Sequence, residues 1–239
     1  MFGVHVYSTY SEWLKSPASR AGKECQTCHM RPSEGQLNIA PGHGGIARDP
    51  RSLSSHHFPG GSIEMLKNCL TIRADIIRLD GRVNVNVEVK AHDVGHRVPT
   101  GFVDRHLLLL VSADDEAGRS VPLTAGPVVP KIAGAELAGH AGRVFAKQLS
   151  DFEGNSPVPF WLAKPEYVDT RLDPNRPDRS AFVFGTSVQW LRIRLIYRRF
   201  WQEVADTKSW PDNEIIVFDR TVQVGPHPEK KTIFLGAAP

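Results

Sequence analysis

One short stretch, Cys25-Gln26-Thr27-Cys28-His29, restricts the fold of this chain more than any other feature of its sequence. Two thiols at this spacing can add to the two vinyl groups of one haem, and the imidazole on the next residue can then reach the iron. A chain that attaches haem in this way has to fold around the porphyrin and present both cysteines to one of its edges. The pattern therefore predicts one covalently attached haem c, held by Cys25 and Cys28 and ligated by His29.

Cysteine pairs at this spacing also occur in structural disulfides, in thioredoxin-like redox motifs and in zinc sites. Zinc needs a second pair of ligands at short spacing, and a redox motif needs a strand before it and a helix after it. The sequence predicts neither arrangement, which favours haem. The remaining cysteine, Cys69, falls within a helical apolar pattern, which predicts an inert, buried thiol.

The composition is that of a globular protein, with 239 residues, 41% hydrophobic and 23% charged, and a net charge of +3. Because no stripe of Lys and Arg alternates with exposed aromatic residues, we expect no nucleic-acid partner. No run of about eighteen apolar residues predicts a transmembrane helix. Haem attachment to cysteines takes place outside the cytoplasm, so we expect a periplasmic or extracellular protein. The first residues show no export signal, which implies a leader already removed or a start inside a longer polypeptide.

The N-terminal part is predicted to be rich in loops. Residues 6–17 have the pattern of a short helix that ends at Pro17, with Tyr10 and Trp13 on one side. These aromatic side chains are expected either to pack against the porphyrin or to belong to an ordinary core. Residues 30–59 are rich in Gly, Pro, Ser and His, a composition that predicts little regular structure and favours a segment wrapped around the haem.

A second axial ligand is expected from the histidine pair His56 and His57, which precedes Phe58-Pro59-Gly60-Gly61. A six-coordinate haem needs such a ligand, and Pro and Gly would fix the loop that carries it. Histidines in loops are usually only solvated, so this pair is a candidate for an iron ligand only because the haem motif is present. After this loop, Ser62 is expected to cap a helix that ends near Ile72.

From about residue 80 the apolar period changes from helical to two, which predicts β-strands. Strands are expected over residues 82–90, 106–112, 143–149, 180–184, 189–197, 214–218 and 220–224, with a short helix over 198–206. Many short strands separated by turns predict an antiparallel, immunoglobulin-like β-sandwich. The expected fold is therefore mainly β, with a haem-binding region at residues 1–75, rich in short helices and loops, and a sandwich domain at 76–239.

The connection between the first two of these strands, residues 92–105, contains two His, two Asp and two Arg between Gly and Pro. It can be an ordinary polar loop. It can also fold back over the haem, with His96 as an alternative iron ligand or as a partner of a haem propionate.

Several motifs occur together in a fixed order: Tyr10-x-x-Trp13-Leu14-x-Ser16-Pro17, Cys25-Gln26-x-Cys28-His29-Met30, His56-x-Phe58-Pro59-Gly60-Gly61, Gly95-His96-x-Val98-Pro99-Thr100-Gly101, and later Gly142-Arg143-Val144-Phe145-Ala146-Lys147, Pro159-Phe160-Trp161 and Asp169-Thr170-Arg171-Leu172. This set resembles the C-terminal region of periplasmic multihaem c-type cytochromes related to the cytochrome c-554 group. The resemblance implies electron transfer, often with two histidines on each iron. It implies His29 as proximal ligand and His56 as the histidine before Phe-Pro-Gly-Gly, with His57 on a variable position. Family members usually carry several haem motifs upstream, whereas this chain has one.

Three functions follow as hypotheses. The first is a c-type cytochrome with one haem, ligated by two histidines, which exchanges electrons with redox partner proteins such as other cytochromes; oligomers are compatible with it. The second is a haem enzyme or gas-binding protein with an open sixth site, for which His96, Arg97 and Arg105 could supply an acid, a base and a cation. The third is an accessory subunit of a larger multihaem complex.

Overall fold

A computed structural model describes residues 4–32, 38, 40 and 42–236 of the chain. Parts of the predicted haem-wrapping segment, at 33–37, 39 and 41, lie outside the described residues. The helices are α1 (Thr9–Leu14), α2 (Pro17–Arg20), α3 (Cys25–His29), α4 (Ile63–Cys69) and α5 (Gln202–Thr207), with 3₁₀ turns at Pro50–Ser52 and Lys131–Ala133. The strands are β1 (Leu70–Leu79), β2 (Arg82–Ala91), β3 (His106–Asp114), β4 (Leu123–Ala125), β5 (Gly142–Leu149), β6 (Tyr167–Asp169), β7 (Asp178–Phe184), β8 (Trp190–Arg198), β9 (Glu214–Gln223) and β10 (Glu229–Leu235).

Two antiparallel sheets of five strands contain all of these strands. Their orders are β10-β1-β2-β7-β4 and β6-β5-β3-β8-β9. A single buried apolar cluster draws side chains from both sheets, so the sheets pack face to face. This arrangement confirms the prediction of a mainly β, antiparallel fold with a few short helices. Among the described residues, no helix is long and apolar enough to cross a membrane.

The two central strands show how burial shapes the sequence. In β2, Val83, Val85 and the following alternate valines are buried, because one face of the strand meets the core and the other meets solvent. In β3 the leucines form a continuous run because both faces are covered: Leu107 and Leu109 face the sandwich, whereas Leu108 and Leu110 face a second apolar cluster that includes Trp201. The outer face of this sheet is therefore also part of the interior.

The start of the sandwich differs from the prediction. The helix that begins after Ser62 ends at Cys69 rather than near Ile72, and β1 follows it directly at Leu70. Alternate residues of β1 are buried from Leu70 to Ile76, which is the period of a strand. With no Gly or Pro between the two elements, their apolar residues read as one helical pattern. The division proposed between residues 75 and 76 falls within β1 and remains a prediction. Two further predicted strands, 214–218 and 220–224, form the single strand β9.

Candidate haem site

The first two helices form a compact pair beside the cysteine motif. The sequence predicts one helix over residues 6–17, whereas the structure has α1 and then α2, which begins at Pro17. Proline is well suited to the first position of a helix, since the backbone N–H that it lacks would have no partner there. Ser16 caps α2, because its Oγ accepts a hydrogen bond from the N–H of Ser19 at 3.3 Å. The predicted helix is therefore interrupted before Pro17, which is the first residue of α2.

Trp13 connects this helix pair to the segments on both of its sides. Its indole Nε1 donates a hydrogen bond to the carbonyl of Lys23 at 2.8 Å, close before Cys25 in the chain. A Cβ added at Gly95 would lie 3.0 Å from Cδ1 of Trp13, so the helix pair also packs closely against the loop of His96. Tyr10 stacks on Trp13 with 5.6 Å between the ring centroids and remains 67% exposed.

The cysteine motif forms the short helix α3, and none of its residues is buried. Cys25 and Cys28 are both exposed and free. Residues three apart lie on the same side of a helix, so this turn presents both thiols in one direction. Cys69 is a free thiol as well, but burial raises its pKa to about 11, so it is protonated and unreactive at neutral pH. No group of three or more His, Cys, Asp or Glu side chains that could hold a metal ion occurs among the described residues.

The imidazole of His29 lies against two other rings. Its centroid is 4.5 Å from that of Phe58, with 15° between the planes, and 6.1 Å from that of His96, with 16° between the planes. Burial and the nearby imidazole of His96 lower the pKa of His29, so it is neutral at pH 7. Its Nδ1 is buried and has no hydrogen-bond partner in the described part of the chain. A ring nitrogen of His29 is therefore left without a protein partner in the centre of the site.

The tautomer of His96 follows from its neighbour. Its Nδ1 lies 2.9 Å from the carbonyl oxygen of Arg97. Because a carbonyl oxygen can only accept, Nδ1 donates this hydrogen bond, and in the neutral ring Nε2 is the nitrogen that has the lone pair. This is the arrangement in which histidines bind metals, with one nitrogen fixed by the backbone and the other directed at the ion.

The predicted distal ligands His56 and His57 are exposed. Among the described residues, the next residue of that loop, Phe58, contacts His29 by its ring, and the histidine that approaches His29 is His96. The expectation that His56 ligates the iron therefore remains a prediction without a contact that favours it.

A network of charged side chains lies behind the loop of His96. Glu12 of α1 accepts a hydrogen bond from Nη2 of Arg171 at 2.7 Å. Asp169 accepts from Nη2 of Arg171 at 2.7 Å and from Nη1 of Arg97 at 2.6 Å. No local sequence pattern predicts a role for Glu12, Asp169 or Arg171. The motif Asp169-Thr170-Arg171-Leu172 lies far from α1 in sequence, so their contact could not be predicted from either segment.

The charges of this network stabilise one another. Burial alone would raise the pKa of Glu12, but hydrogen bonds from Ser8 and Arg171 and the charge of Arg171 outweigh it and lower the pKa. For Asp169, burial is likewise opposed by the guanidinium groups of Arg171 and Arg97, and its pKa is also lowered. Both carboxyl groups are therefore ionised at neutral pH, and the loop of His96 is attached to a fixed set of charges.

The residues present fit a haem c. Cys25 and Cys28 present exposed thiols on one side of a helix, and His29 has an unpartnered ring nitrogen beside them. The centroids of His29 and His96 are 6.1 Å apart. The exposed apolar side chains of Tyr10, Leu14 and Phe58 are of the kind that a porphyrin would cover.

Comparisons with known proteins give one result. No protein-family model and no curated protein matches the sequence. Among solved structures, the chain is similar to a penta-heme cytochrome c552 from Thermochromatium tepidum, with a TM-score of 0.63 and 21% sequence identity over 92% of this chain. The chain spans about half, 51%, of the length of that cytochrome. The likeness shows that this chain has a fold found in a multihaem cytochrome c.

Proposed function

We propose that this chain is a c-type cytochrome that carries one covalent haem and transfers single electrons outside the cytoplasm. The observation that carries the proposal is the approach of two nearly parallel imidazoles, His29 and His96, beside the exposed thiols of Cys25 and Cys28. The penta-heme neighbour supports the same class of protein through its fold. Redox partners, other cytochromes among them, would then supply and remove the electrons, because one haem conducts only between proteins that dock with it.

Each residue has a defined role in this proposal. The thiols of Cys25 and Cys28 would hold the haem through two thioether bonds. At each vinyl group the S–H bond and the C=C π bond would be lost, a C–S bond would form, and the thiol hydrogen would go to the neighbouring vinyl carbon. When bound, haem supplies an iron that alternates between the ferric and ferrous states. His29 and His96 would hold this iron and would keep water and other small ligands from it while both are bound. Two imidazoles give a lower reduction potential than the pair of His and Met.

His96 is preferred to His56 as the distal ligand for two reasons. Its ring lies 6.1 Å from that of His29 with 16° between the planes, so among the described residues it is the histidine that approaches His29. Its Nδ1 is occupied by the Arg97 carbonyl, which leaves Nε2 for the iron. His56 is exposed, and none of its described contacts resembles these.

The electron carrier is also favoured over a haem enzyme. An enzyme that reduces peroxide or nitrogen oxides needs a cation free to stabilise charge near its open site. The guanidinium of Arg97 is instead bound to Asp169 at 2.6 Å and to Asp173 at 2.8 Å. Arg105 donates to the carbonyl of Thr100 at 3.2 Å. Both guanidinium groups thus already have hydrogen-bond partners within the protein.

Single substitutions of the three histidines test the ligand assignment. His96→Ala should convert the ferric haem from low spin to high spin and let the ferrous form bind carbon monoxide, because it opens the sixth position. His56→Ala and His57→Ala are the matched controls and should remain low spin and bind carbon monoxide no faster than the wild type. Optical spectra of the purified holoproteins, with and without carbon monoxide, measure both properties.

The other outcomes contradict particular parts of the proposal. If His56→Ala becomes high spin and His96→Ala does not, His56 is the distal ligand and the assignment to His96 is wrong. A wild-type protein that is already high spin and binds carbon monoxide would favour the enzyme or gas-binding function.

A further inference from the structure

The carboxylate of Glu12 is bound on both of its oxygens. Oε1 accepts hydrogen bonds from Oγ of Ser8 at 2.5 Å and from Nη2 of Arg171 at 2.7 Å. Oε2 accepts from the backbone N–H of Arg97 at 3.1 Å and from Oγ1 of Thr100 at 3.3 Å. Only 12% of the side chain is exposed. One oxygen therefore faces the charged network, while the other faces the main chain of the His96 loop.

Arg97 connects this carboxylate to the imidazole of His96. Its N–H donates to Glu12, while its carbonyl oxygen accepts the hydrogen bond from Nδ1 of His96 at 2.9 Å. A rotation of this residue's backbone would move the acceptor of His96. The carboxylate that holds the N–H therefore also restricts the direction of the imidazole.

The contacts that Asp169, Asp173 and Leu172 make with this loop hold groups other than the N–H of Arg97. Asp169 and Asp173 bind the guanidinium of Arg97, not its main chain. Val98 and Leu172 exchange backbone hydrogen bonds of 3.0 and 2.9 Å on the far side of Arg97. Glu12 thus supplies a restraint on the N-terminal side of the same residue, from an element 85 residues away in sequence.

We propose that Glu12 is a positioning residue for His96, which holds the distal imidazole on the iron by fixing the main chain of Arg97. The inference rests on the proposed function, in which His96 ligates the haem. Glu12 does not touch the haem in this account. Its loss should leave the haem attached and should make His96 leave the iron more readily.

The test measures how fast carbon monoxide binds to the ferrous holoprotein, because binding has to wait until His96 dissociates. Glu12→Gln keeps the size of the side chain but removes its charge, so the bonds to Arg97 and Arg171 weaken. We expect carbon monoxide to bind about tenfold or more faster than in the wild type, the usual scale for loss of an outer partner of a ligating histidine. Glu12→Asp keeps the charge but withdraws it from the Arg97 N–H, so it should change the rate in the same direction.

Glu214→Gln is the matched control. Glu214 lies on β9, at the opposite edge of the sheet from β6, and accepts a hydrogen bond from Nε of the buried Arg198 at 2.5 Å. This substitution should leave the rate of carbon monoxide binding unchanged. Unfolding of both variants in urea is measured beside the rates. If Glu214→Gln accelerates binding as much as Glu12→Gln at equal loss of stability, Glu12 has only a structural role and the inference is overturned.

The two proposals fail in different ways. If the His96→Ala protein is low spin, His96 is not the distal ligand, and the proposed role of Glu12 is overturned as well. A high-spin His96→Ala protein together with Glu12 variants that bind carbon monoxide at the wild-type rate would overturn the role of Glu12 alone.

Discussion

At the scale of single residues, the proposed haem site depends on an imidazole, His29, that the fold keeps neutral. Burial and the proximity of His96 lower the pKa of His29, so its ring is uncharged near pH 7. A histidine has to be deprotonated before it can bind a metal, so a lowered pKa favours ligation. The Nδ1 proton of His96 is fixed by the Arg97 carbonyl, which sets its tautomer as well. His29 is thus in the form that an iron ligand would need before haem is attached, and a backbone hydrogen bond orients the ring of His96.

A third histidine, His106, provides a prediction about pH. It stacks on Trp201 with 4.2 Å between ring centroids, and burial lowers its pKa from 6.5 to about 3. In the unfolded chain this histidine therefore binds a proton near pH 6.5, whereas in the folded chain it does so only near pH 3. Folded stability should fall as the pH decreases through this range, by up to about 1.4 kcal/mol per pH unit from this residue.

Substitution His106→Phe removes the titrating group but keeps a ring against Trp201. The free energy of unfolding, measured in urea at several pH values between 7 and 4, should depend less steeply on pH in this variant than in the wild type. Equal slopes for the two proteins would show that His106 is not buried in its neutral form.

At the scale of elements, local sequence patterns predicted the strands whose burial is set by their own residues. The alternation from Val83 onwards predicted β2, and the apolar run after His106 predicted β3. The position of His96 depends instead on pairing between Val98 and Leu172, which lie far apart in sequence. No pattern near His96 reports that contact. The sequence could therefore suggest His96 as an alternative ligand but could not rank it above His56.

The packing of the helix pair on the His96 loop leads to a prediction at Gly95. An added Cβ would lie 3.0 Å from Cδ1 of Trp13 and 3.2 Å from Cβ of Ala18. Gly95→Ala should therefore push the helices from the loop and destabilise the protein by about 1–3 kcal/mol. Gly185→Ala is the control, because its nearest neighbour would be Val121 at an ordinary 4.0 Å. Urea unfolding measures both, and equal stability of the two variants would contradict this contact.

At the scale of the whole molecule, the candidate site combines the N-terminal part with the sandwich. The motif Cys25–His29 lies outside the two sheets, whereas His96 and Arg171 come from connections between their strands. In the proposed function, the two iron ligands would therefore come from both parts of the chain. A similar fold makes up about half of a penta-heme cytochrome c552. The proposed single haem would receive an electron from one partner and give it to another.

The optical spectrum of the purified protein, oxidised, then reduced, then exposed to carbon monoxide, tests the central claim most directly. We predict a low-spin, six-coordinate c-type spectrum in both oxidation states, which carbon monoxide changes only as slowly as His96 dissociates, because His29 and His96 would both hold the iron. A high-spin ferric spectrum that shifts on addition of carbon monoxide would contradict the closed site, and a protein without haem absorption would contradict the whole account.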